Sequence, residues 1–236
     1  MRLLAVDTAT EACSAALLAD GRVLARFDTA GRSHTQLMLP MVHGLMAEAG
    51  LRFADLEGLA CGVGPGSFAG VRIGVGFVKG LALSLGLPVV AVSSLEMLAQ
   101  DAIDSGAVRV LCAIDARMDE IYLGAYARGA DGLARAVVPP WLSAPGAFDW
   151  TDGGAWTGVG TGWARYEAEL RAGTRGGIER VHGDALPDAR TALRLARAAF
   201  ARGEMLDADA LAPLYLRDKV ALTLDEQQRL RESKAS

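Results

Sequence analysis

One arrangement of strands occurs twice in this chain, and it limits the fold more than any other feature. In the first copy an apolar strand ends at Asp7, and two more strands follow on either side of the turn pair Asp20-Gly21. In the second copy an apolar strand ends at Asp115, and its two following strands flank Asp131-Gly132. An Asp-Gly pair between two apolar runs is a strong hairpin signal. The strands are expected at Leu3–Val6, Ala12–Ala19, Val23–Phe27, Val108–Ile114, Ile121–Ala127 and Leu133–Val138.

A repeated unit of this kind favours two lobes of related fold, the alternative being that any two hairpins look alike. Hairpins mixed with strand–helix–strand units predict an α/β protein, in which mixed sheets carry helices on their faces. We place the lobes at residues 1–103 and 104–217, and the tail 218–236 could return to the first lobe. Helices are expected at Ser33–Gly50, Ser67–Leu85, Ser94–Ser105, Trp163–Ala172 and Asp188–Arg202, further strands at Leu59–Val63, Val89–Val92 and Trp156–Val159, and a loop at Val138–Gly154.

Composition and charge exclude several functional classes. Hydrophobic residues make up 51% of the 236 positions, so disorder is excluded. The formal net charge of −4 leaves no cationic field for nucleic acid, so another molecule should make the main contact with any RNA. The three cysteines form no C-x-x-C pair, which predicts buried free thiols. We find no secretory h-region, and the apolar stretch Leu81–Val92 is too short to span a bilayer, so we expect a soluble cytoplasmic protein.

Two expected helices carry more apolar surface than one lobe can cover. The helix Ser33–Gly50 has a wide apolar stripe, and the helix Ser67–Leu85 is apolar all round. Glycines 70, 74, 76 and 80 should let another helix pack closely against the second of them. We expect a partner protein to cover the outer surface of this pair, and a charge at Val75 or Leu45 to abolish the complex without unfolding the chain. The residues expected at the interface are His34, Leu37, Met38, Met41, Leu45, Val71, Arg72, Val75, Val78 and Lys79.

A second distinctive segment joins a buried strand to that apolar helix. The turn consists of Gly64, Pro65, Gly66 and Ser67, and Ser67 is expected to cap the helix. The Gly-Lys-Ser/Thr of a Walker A loop is absent. A helix start at a strand end could hold an anion, and a purely structural turn remains the alternative.

The ionisable residues give weaker signals. His34, His43 and His182 form no H-x-x-x-H pair, so we predict no metal site. The acidic segment 115–120 includes Asp115 and Arg117 between two strands. Its carboxylates could serve acid–base chemistry or bind Mg²⁺, or form a solvated turn with an internal ion pair.

Several of these segments together closely resemble the bacterial TsaB (YeaZ-like) family, over nearly the whole chain. The resemblance implies an actin/Hsp70-like (ASKHA) two-lobed fold and a role in making threonylcarbamoyladenosine next to the anticodon of tRNAs that read codons beginning with adenosine. It also implies two partners: the catalytic paralogue TsaD, reached through the two apolar helices, and the ATPase TsaE. The motifs that carry it are Asp7-Thr8-Ala9-Thr10, residues 33–40, Gly64 to Gly74, residues 114–120 and Pro213-Leu214-Tyr215-Leu216-Arg217.

Two departures from the active relatives argue against catalysis by this chain itself. Ser94 and Leu98 stand where the resemblance places the two metal-binding histidines of TsaD, and neither is a suitable ligand. The Asp-x-Gly-Thr phosphate turn of ASKHA kinases is replaced by Asp7-Thr8-Ala9-Thr10, which lacks the glycine. We expect at most a residual cleft at Asp7, Thr8, Asp115 and Arg117, with ATP or ADP at the junction with TsaD.

The resulting hypothesis is a non-catalytic subunit that docks on TsaD, contacts tRNA only indirectly and could form a homodimer when alone. An ASKHA-type phosphotransferase that uses Asp7 and Asp115 is the alternative, and ATP binding by the isolated chain distinguishes the two. A metallopeptidase is a third alternative, against which the missing ligand pair argues.

Overall fold

Two five-stranded sheets with the same topology form the framework of the protein. The structure is a computed structural model that describes residues 1–29, 31, 33–175 and 177–217. The first sheet has the order β3-β2-β1-β4-β5, and the second has the order β10-β9-β6-β7-β8. In both, the first three strands are antiparallel and the last two run parallel to the first. The strands are β1 (Leu3–Asp7), β2 (Ala12–Ala19), β3 (Arg22–Thr29), β4 (Gly58–Gly62), β5 (Val89–Val92), β6 (Arg109–Arg117), β7 (Glu120–Arg128), β8 (Ala134–Ser143), β9 (Trp156–Val159) and β10 (Ile178–His182).

The duplicated three-strand unit is confirmed by this match in strand order, and the expected helices form within two residues of their predicted bounds. Pro40 lies inside the first helix without ending it, and the Ser67 hydroxyl caps the second by accepting a hydrogen bond from the Gly70 backbone N–H at 3.0 Å. The helices are α1 (His34–Glu48), α2 (Phe68–Leu85), α3 (Ser94–Asp104), α4 (Thr161–Gly173) and α5 (Ala189–Arg202).

One prediction about the second half is wrong, and one strand was not predicted. The expected loop at Val138–Gly154 begins later, because β8 continues through Pro139 and Pro140 to Ser143. Since β8 is an edge strand, the missing proline N–H groups cost the sheet little. The strand β10 was not predicted from the sequence, and the second unit carries only the short 3-10 turn Pro145–Ala147 where the first has α1. The predicted tail 218–236 lies outside the described residues.

The predicted lobe boundary at 103/104 does not match the packing. Helix α3, assigned to the first lobe, packs on β6, β7, β8 and β9 of the second sheet. Helix α5, assigned to the second lobe, packs on β1, β2, β4 and β5 of the first. The apolar side chains of both helices explain the exchange, because each completes a core cluster that the other sheet supplies. The two exchanged helices also contact each other, with the Thr191 hydroxyl donating to Asp101 at 3.1 Å.

Helices α1 and α2 lie side by side on the face of the first sheet opposite α5. Their inward side chains share one core cluster with alternate residues of β1 and β2. Within the described residues, α2 is the one helix long and apolar enough by composition to cross a bilayer, a stretch longer than the Leu81–Val92 run singled out from the sequence. The inner face of α2 packs on β4 and β1, so α2 is a core helix of this lobe.

The cysteines are buried free thiols, as predicted. Burial raises the pKa of the Cys13 thiol to about 11 and raises the pKa values of Cys61 and Cys112 further. Because the thiolate is the reactive form, none of the three should react with 5,5′-dithiobis(2-nitrobenzoate) in the folded protein at pH 8. All three should react once the chain is unfolded in guanidinium chloride. A thiol that titrates before the addition of denaturant would contradict this burial.

Candidate functional site

The turn between β1 and β2 is closed against the first turns of α2. The Thr8 hydroxyl donates to the Gly70 carbonyl at 2.7 Å, and the Ser67 backbone N–H donates to the Ala9 carbonyl at 2.7 Å. A Cβ atom added to Gly66 would lie 2.0 Å from the Ala9 carbonyl oxygen, and one added to Gly70 would lie 2.2 Å from that of Thr8. Because these glycines have no side chain, the β1–β2 turn can pack directly against the start of α2. The prediction that Gly70 and Gly74 receive another helix is therefore corrected, since their neighbour is this turn.

Asp7 ends β1 and is completely buried beneath this closed turn. Neither of its carboxylate oxygens has a hydrogen-bond partner among the described residues. Burial raises the pKa of Asp7 to about 7, and the negative charge of Asp188 also raises it. The Ala9 backbone N–H is close enough to offset part of the rise, although its geometry falls short of a hydrogen bond. Gly62 on the neighbouring strand makes room for the carboxylate, because a Cβ atom there would lie 1.8 Å from Oδ1. Asp7 and Thr8, expected in a residual cleft, are thus core residues.

A cavity of about 420 Å³ opens between the lobes beside this turn. Of the four residues predicted for the cleft, Asp115 and Arg117 line it, whereas Asp7 and Thr8 do not. Arg117 bonds Asp115 within its own lobe and Glu11 of the other lobe, each at 3.1 Å. Asp115 also accepts from Arg165 at 3.0 Å, so the acidic segment is a paired turn instead of an open cluster of carboxylates.

The turn from Gly64 to Ser67 forms one wall of this cavity. Gly64 has a φ of 92°, a conformation that favours glycine, and its peptide bond to Pro65 is cis. The chain then enters α2 at Ser67, so that the first turn of the helix faces the cavity with Gly66, Ser67 and Phe68. The predicted strand–turn–helix is confirmed in this part of the site.

Six of the ten residues expected at a partner interface are buried within the chain itself. The prediction that a charge at Val75 or Leu45 leaves the chain folded is therefore wrong, because both side chains pack in the cluster beneath α1 and α2. A continuous apolar stripe on a sheet-packed helix is the face that meets the sheet. The six buried residues are His34, Met38, Leu45, Val71, Val75 and Val78.

The remaining four lie at the surface, but not all of them are available. Leu37 and Met41 are half-buried, and Arg72 is exposed above the Phe68 ring, 3.3 Å from its centroid. Lys79 donates to the carbonyl oxygens of Asp209 and Leu211 at 2.8 and 3.3 Å, so it is held by its own chain.

The outward stripes of α1 and α2 form the exposed surface of this helix pair, and none of their residues was among the ten predicted from the sequence. They are mostly apolar or small, and they occupy helical positions opposite the buried stripe, which is the signal that could have found them. Leu39 and Leu83 are 45% and 54% exposed. A Cβ atom added to Gly44, Gly76 or Gly80 would meet nothing within 4 Å. We call this surface the outer helix face: Leu39, Pro40, His43 and Gly44 on α1, and Ile73, Gly76, Phe77, Gly80 and Leu83 on α2.

The start of α3, where the resemblance led us to look for the two metal-binding positions, is filled with core side chains. Ser94 and Leu98 are both buried, and the Ser94 hydroxyl has no partner among the described residues. The described part of the chain contains no group of three or more histidine, cysteine or carboxylate side chains placed to hold a metal ion.

Two sheets of equal topology, exchanged helices and a cleft between the lobes define an ASKHA-type protein. A family model described as TsaD, tRNA N6-adenosine threonylcarbamoyltransferase, matches residues 28–141. The tRNA threonylcarbamoyladenosine biosynthesis protein TsaB of Escherichia coli K12 is 43% identical over 94% of this chain and 96% of its own length. That of Haemophilus influenzae Rd is 37% identical over 93% and 95%. The chain belongs to the TsaB family.

Solved structures agree with this assignment. A Pseudomonas aeruginosa protein described as similar to the peptidase YeaZ superposes with a TM-score of 0.85 at 43% identity, over 92% of this chain and 99% of that one. YeaZ from the same organism gives a TM-score of 0.82 at 42% identity, over 91% and 99%. The predicted two-lobed ASKHA fold is thereby confirmed.

Proposed function

We propose that this chain is a non-catalytic subunit for the threonylcarbamoylation of tRNA, and that it acts by docking on its catalytic paralogue TsaD. The outer helix face is the observation that carries this proposal. The family relationship supports the role in threonylcarbamoyladenosine biosynthesis, since TsaB relatives match nearly end to end. The reaction takes place in the cytoplasm, with TsaE as a further partner and with tRNA held mainly by TsaD.

The outer helix face fits another pair of helices. Ile73, Gly76, Phe77, Gly80 and Leu83 recur at the three- and four-residue spacing of one helical stripe. Gly76 and Gly80 lie on it without neighbours, and such small residues let a second backbone approach closely. Each glycine costs about 0.5–1 kcal/mol relative to alanine in a helix, so their presence at open positions is best explained by a partner. Without TsaD, the same apolar surface would favour a homodimer.

The buried β1–β2 turn supports a non-catalytic role. Related phosphotransferases need an accessible phosphate turn, whereas Thr8 and Ala9 are buried and bonded to α2. An ATP or ADP molecule in the complex would then be placed at the junction with TsaD. The phosphotransferase and metallopeptidase alternatives gain no support from the described residues, because Asp7 and Ser94 are closed off from solvent.

The substitution Gly76→Arg tests the docking surface. The longer side chain extends into open space, so the chain should fold normally, but a charged group in the centre of an apolar interface should weaken binding to TsaD of the same organism by about 100-fold or more. Isothermal titration calorimetry gives the affinity, and reconstituted tRNA modification should fall in parallel.

Gly146→Arg is the matched control. Gly146 is also exposed with nothing within 4 Å of an added Cβ, but it lies on the second lobe, away from the outer helix face. It should bind TsaD with unchanged affinity. Equal affinities for Gly76→Arg and the wild-type chain would place the interface elsewhere.

A further inference from the structure

The segment from Leu206 to Arg217 crosses from the first lobe to the second, and we call it the strap. It starts on the first lobe, where Leu206 forms a two-way antiparallel bridge with Val89 at the edge of the first sheet. The strap then passes over α2, and Lys79 donates to the Asp209 and Leu211 carbonyls. Leu211 is buried in the core of the first lobe, so this half of the strap is anchored by both apolar and polar contacts.

The middle of the strap closes one side of the cavity between the lobes. The Leu214 backbone N–H donates to the Val63 carbonyl at 2.8 Å, next to the turn that begins at Gly64. Tyr215 packs near the Arg72 guanidinium, 5.0 Å from its ring centroid. Leu216 then leaves the first lobe and packs against the core cluster beneath α3 in the second.

Arg217 is the last described residue of the strap, and its side chain binds the turn between β6 and β7. Its guanidinium donates to the Ala116 carbonyl at 3.0 Å and pairs with the Glu120 carboxylate at 2.5 Å. Its side chain is 17% exposed and that of Glu120 is 36% exposed, so these charge-assisted bonds are partly shielded from water. The turn between β6 and β7 is unusual, because Arg117, Met118 and Asp119 all have positive φ values between 54° and 61°. Such backbone persists only where its surroundings hold it.

We propose that the strap is an interlobe clasp, meaning a segment that fixes the angle between the two lobes. The Arg217 contacts attach it to the second lobe. The clasp acts alongside the α3–α5 contact, which joins the lobes elsewhere. The exposed Glu11–Arg117 ion pair also crosses between the lobes, but an exposed pair contributes little. The part-buried Arg217 contacts lie beside the cavity, and in this proposal they hold it in one shape.

Electron–electron double resonance between spin labels on the two lobes tests the clasp. Labels at Ala47→Cys on α1 and Ala168→Cys on α4 occupy exposed positions on opposite lobes, and the natural cysteines are buried. In the otherwise unaltered chain the distance distribution should be a single narrow peak. Arg217→Ala should at least double its width or add a second peak, and Lys79→Met, which frees the other end of the strap, should broaden it less.

Arg197→Ala is the control, because Arg197 is exposed on α5 and makes no ion pair within the described residues. Its distribution should match that of the parent. If Arg217→Ala lowers the yield of folded protein, Glu120→Gln removes the charged partner and keeps the backbone bonds, and it should give a smaller broadening. Distributions for both Arg217→Ala and Glu120→Gln that superpose on the parent would overturn the clasp.

Discussion

Replacing Asp7 with asparagine should make the protein more stable at pH 8. The pKa of Asp7 rises from 3.8 to about 7 on folding, because its carboxylate is buried without a hydrogen-bond partner. The folded state therefore binds this proton more tightly than the unfolded state does. The contribution of Asp7 to native stability is therefore most favourable at low pH, becomes less favourable as the pH rises from about 4 to 7, and is constant above that range.

The expected gain for Asp7→Asn at pH 8 is about 2–3 kcal/mol in the free energy of unfolding. The shift corresponds to about 4 kcal/mol, and the buried amide of asparagine gives back part of it. Urea denaturation at pH 8 and pH 5 measures the difference, which should shrink at the lower pH. Exposed Glu169→Gln on α4 is the control and should change stability by less than about 0.5 kcal/mol at either pH. A less stable Asp7→Asn protein at pH 8 would mean that a neighbouring group favours the carboxylate.

Two glycines of the same helix should respond to alanine in opposite directions. In Gly70→Ala the new Cβ would lie 2.2 Å from the Thr8 carbonyl oxygen, so either the β1–β2 turn or α2 must move. We expect a loss of about 3 kcal/mol from this overpacking. Gly76→Ala meets open space and should gain about 0.5–1 kcal/mol from higher helix propensity.

Thermal unfolding followed by circular dichroism separates these outcomes. For a chain of this length about 1 kcal/mol shifts the midpoint by about 2–4 °C, so Gly70→Ala should melt about 6–12 °C lower than the wild type. Gly76→Ala should melt slightly higher. Equal midpoints for the two variants would show that the turn is not locked against α2.

The local pattern of the sequence was sufficient to predict nine of the ten strands, although not all of their bounds. Asp20-Gly21 and Asp131-Gly132 mark hairpins that form as expected, because turn chemistry acts within a few residues. The strand Ile178–His182 was missed, since it is a short edge strand with few buried side chains and a weak alternating pattern. The sequence likewise gave no sign that α3 and α5 exchange lobes, because that depends on contacts distant along the chain.

The helices α1 and α2 were predicted from the sequence, but the way they face was not. The apolar stripe at Met38, Leu45 and Val75 meets the sheet, not the solvent. A partner interface on this helix pair stays a prediction. Periodicity shows that a helix has an apolar face, but only the sheet position shows which face is covered. Similarly, Gly70 and Gly74 signalled a close approach without showing that Thr8 makes it.

The exchange of α3 and α5 has a consequence for the autonomy of the two halves. Each half of the chain builds a sheet and then donates its last helix to the sheet of the other half. If the chain were divided at its midpoint, each fragment would expose one uncovered sheet face and one helix that has no sheet to pack on. The molecule therefore has the connectivity of an intertwined pair joined into one polypeptide, in which neither member is an independent folding unit.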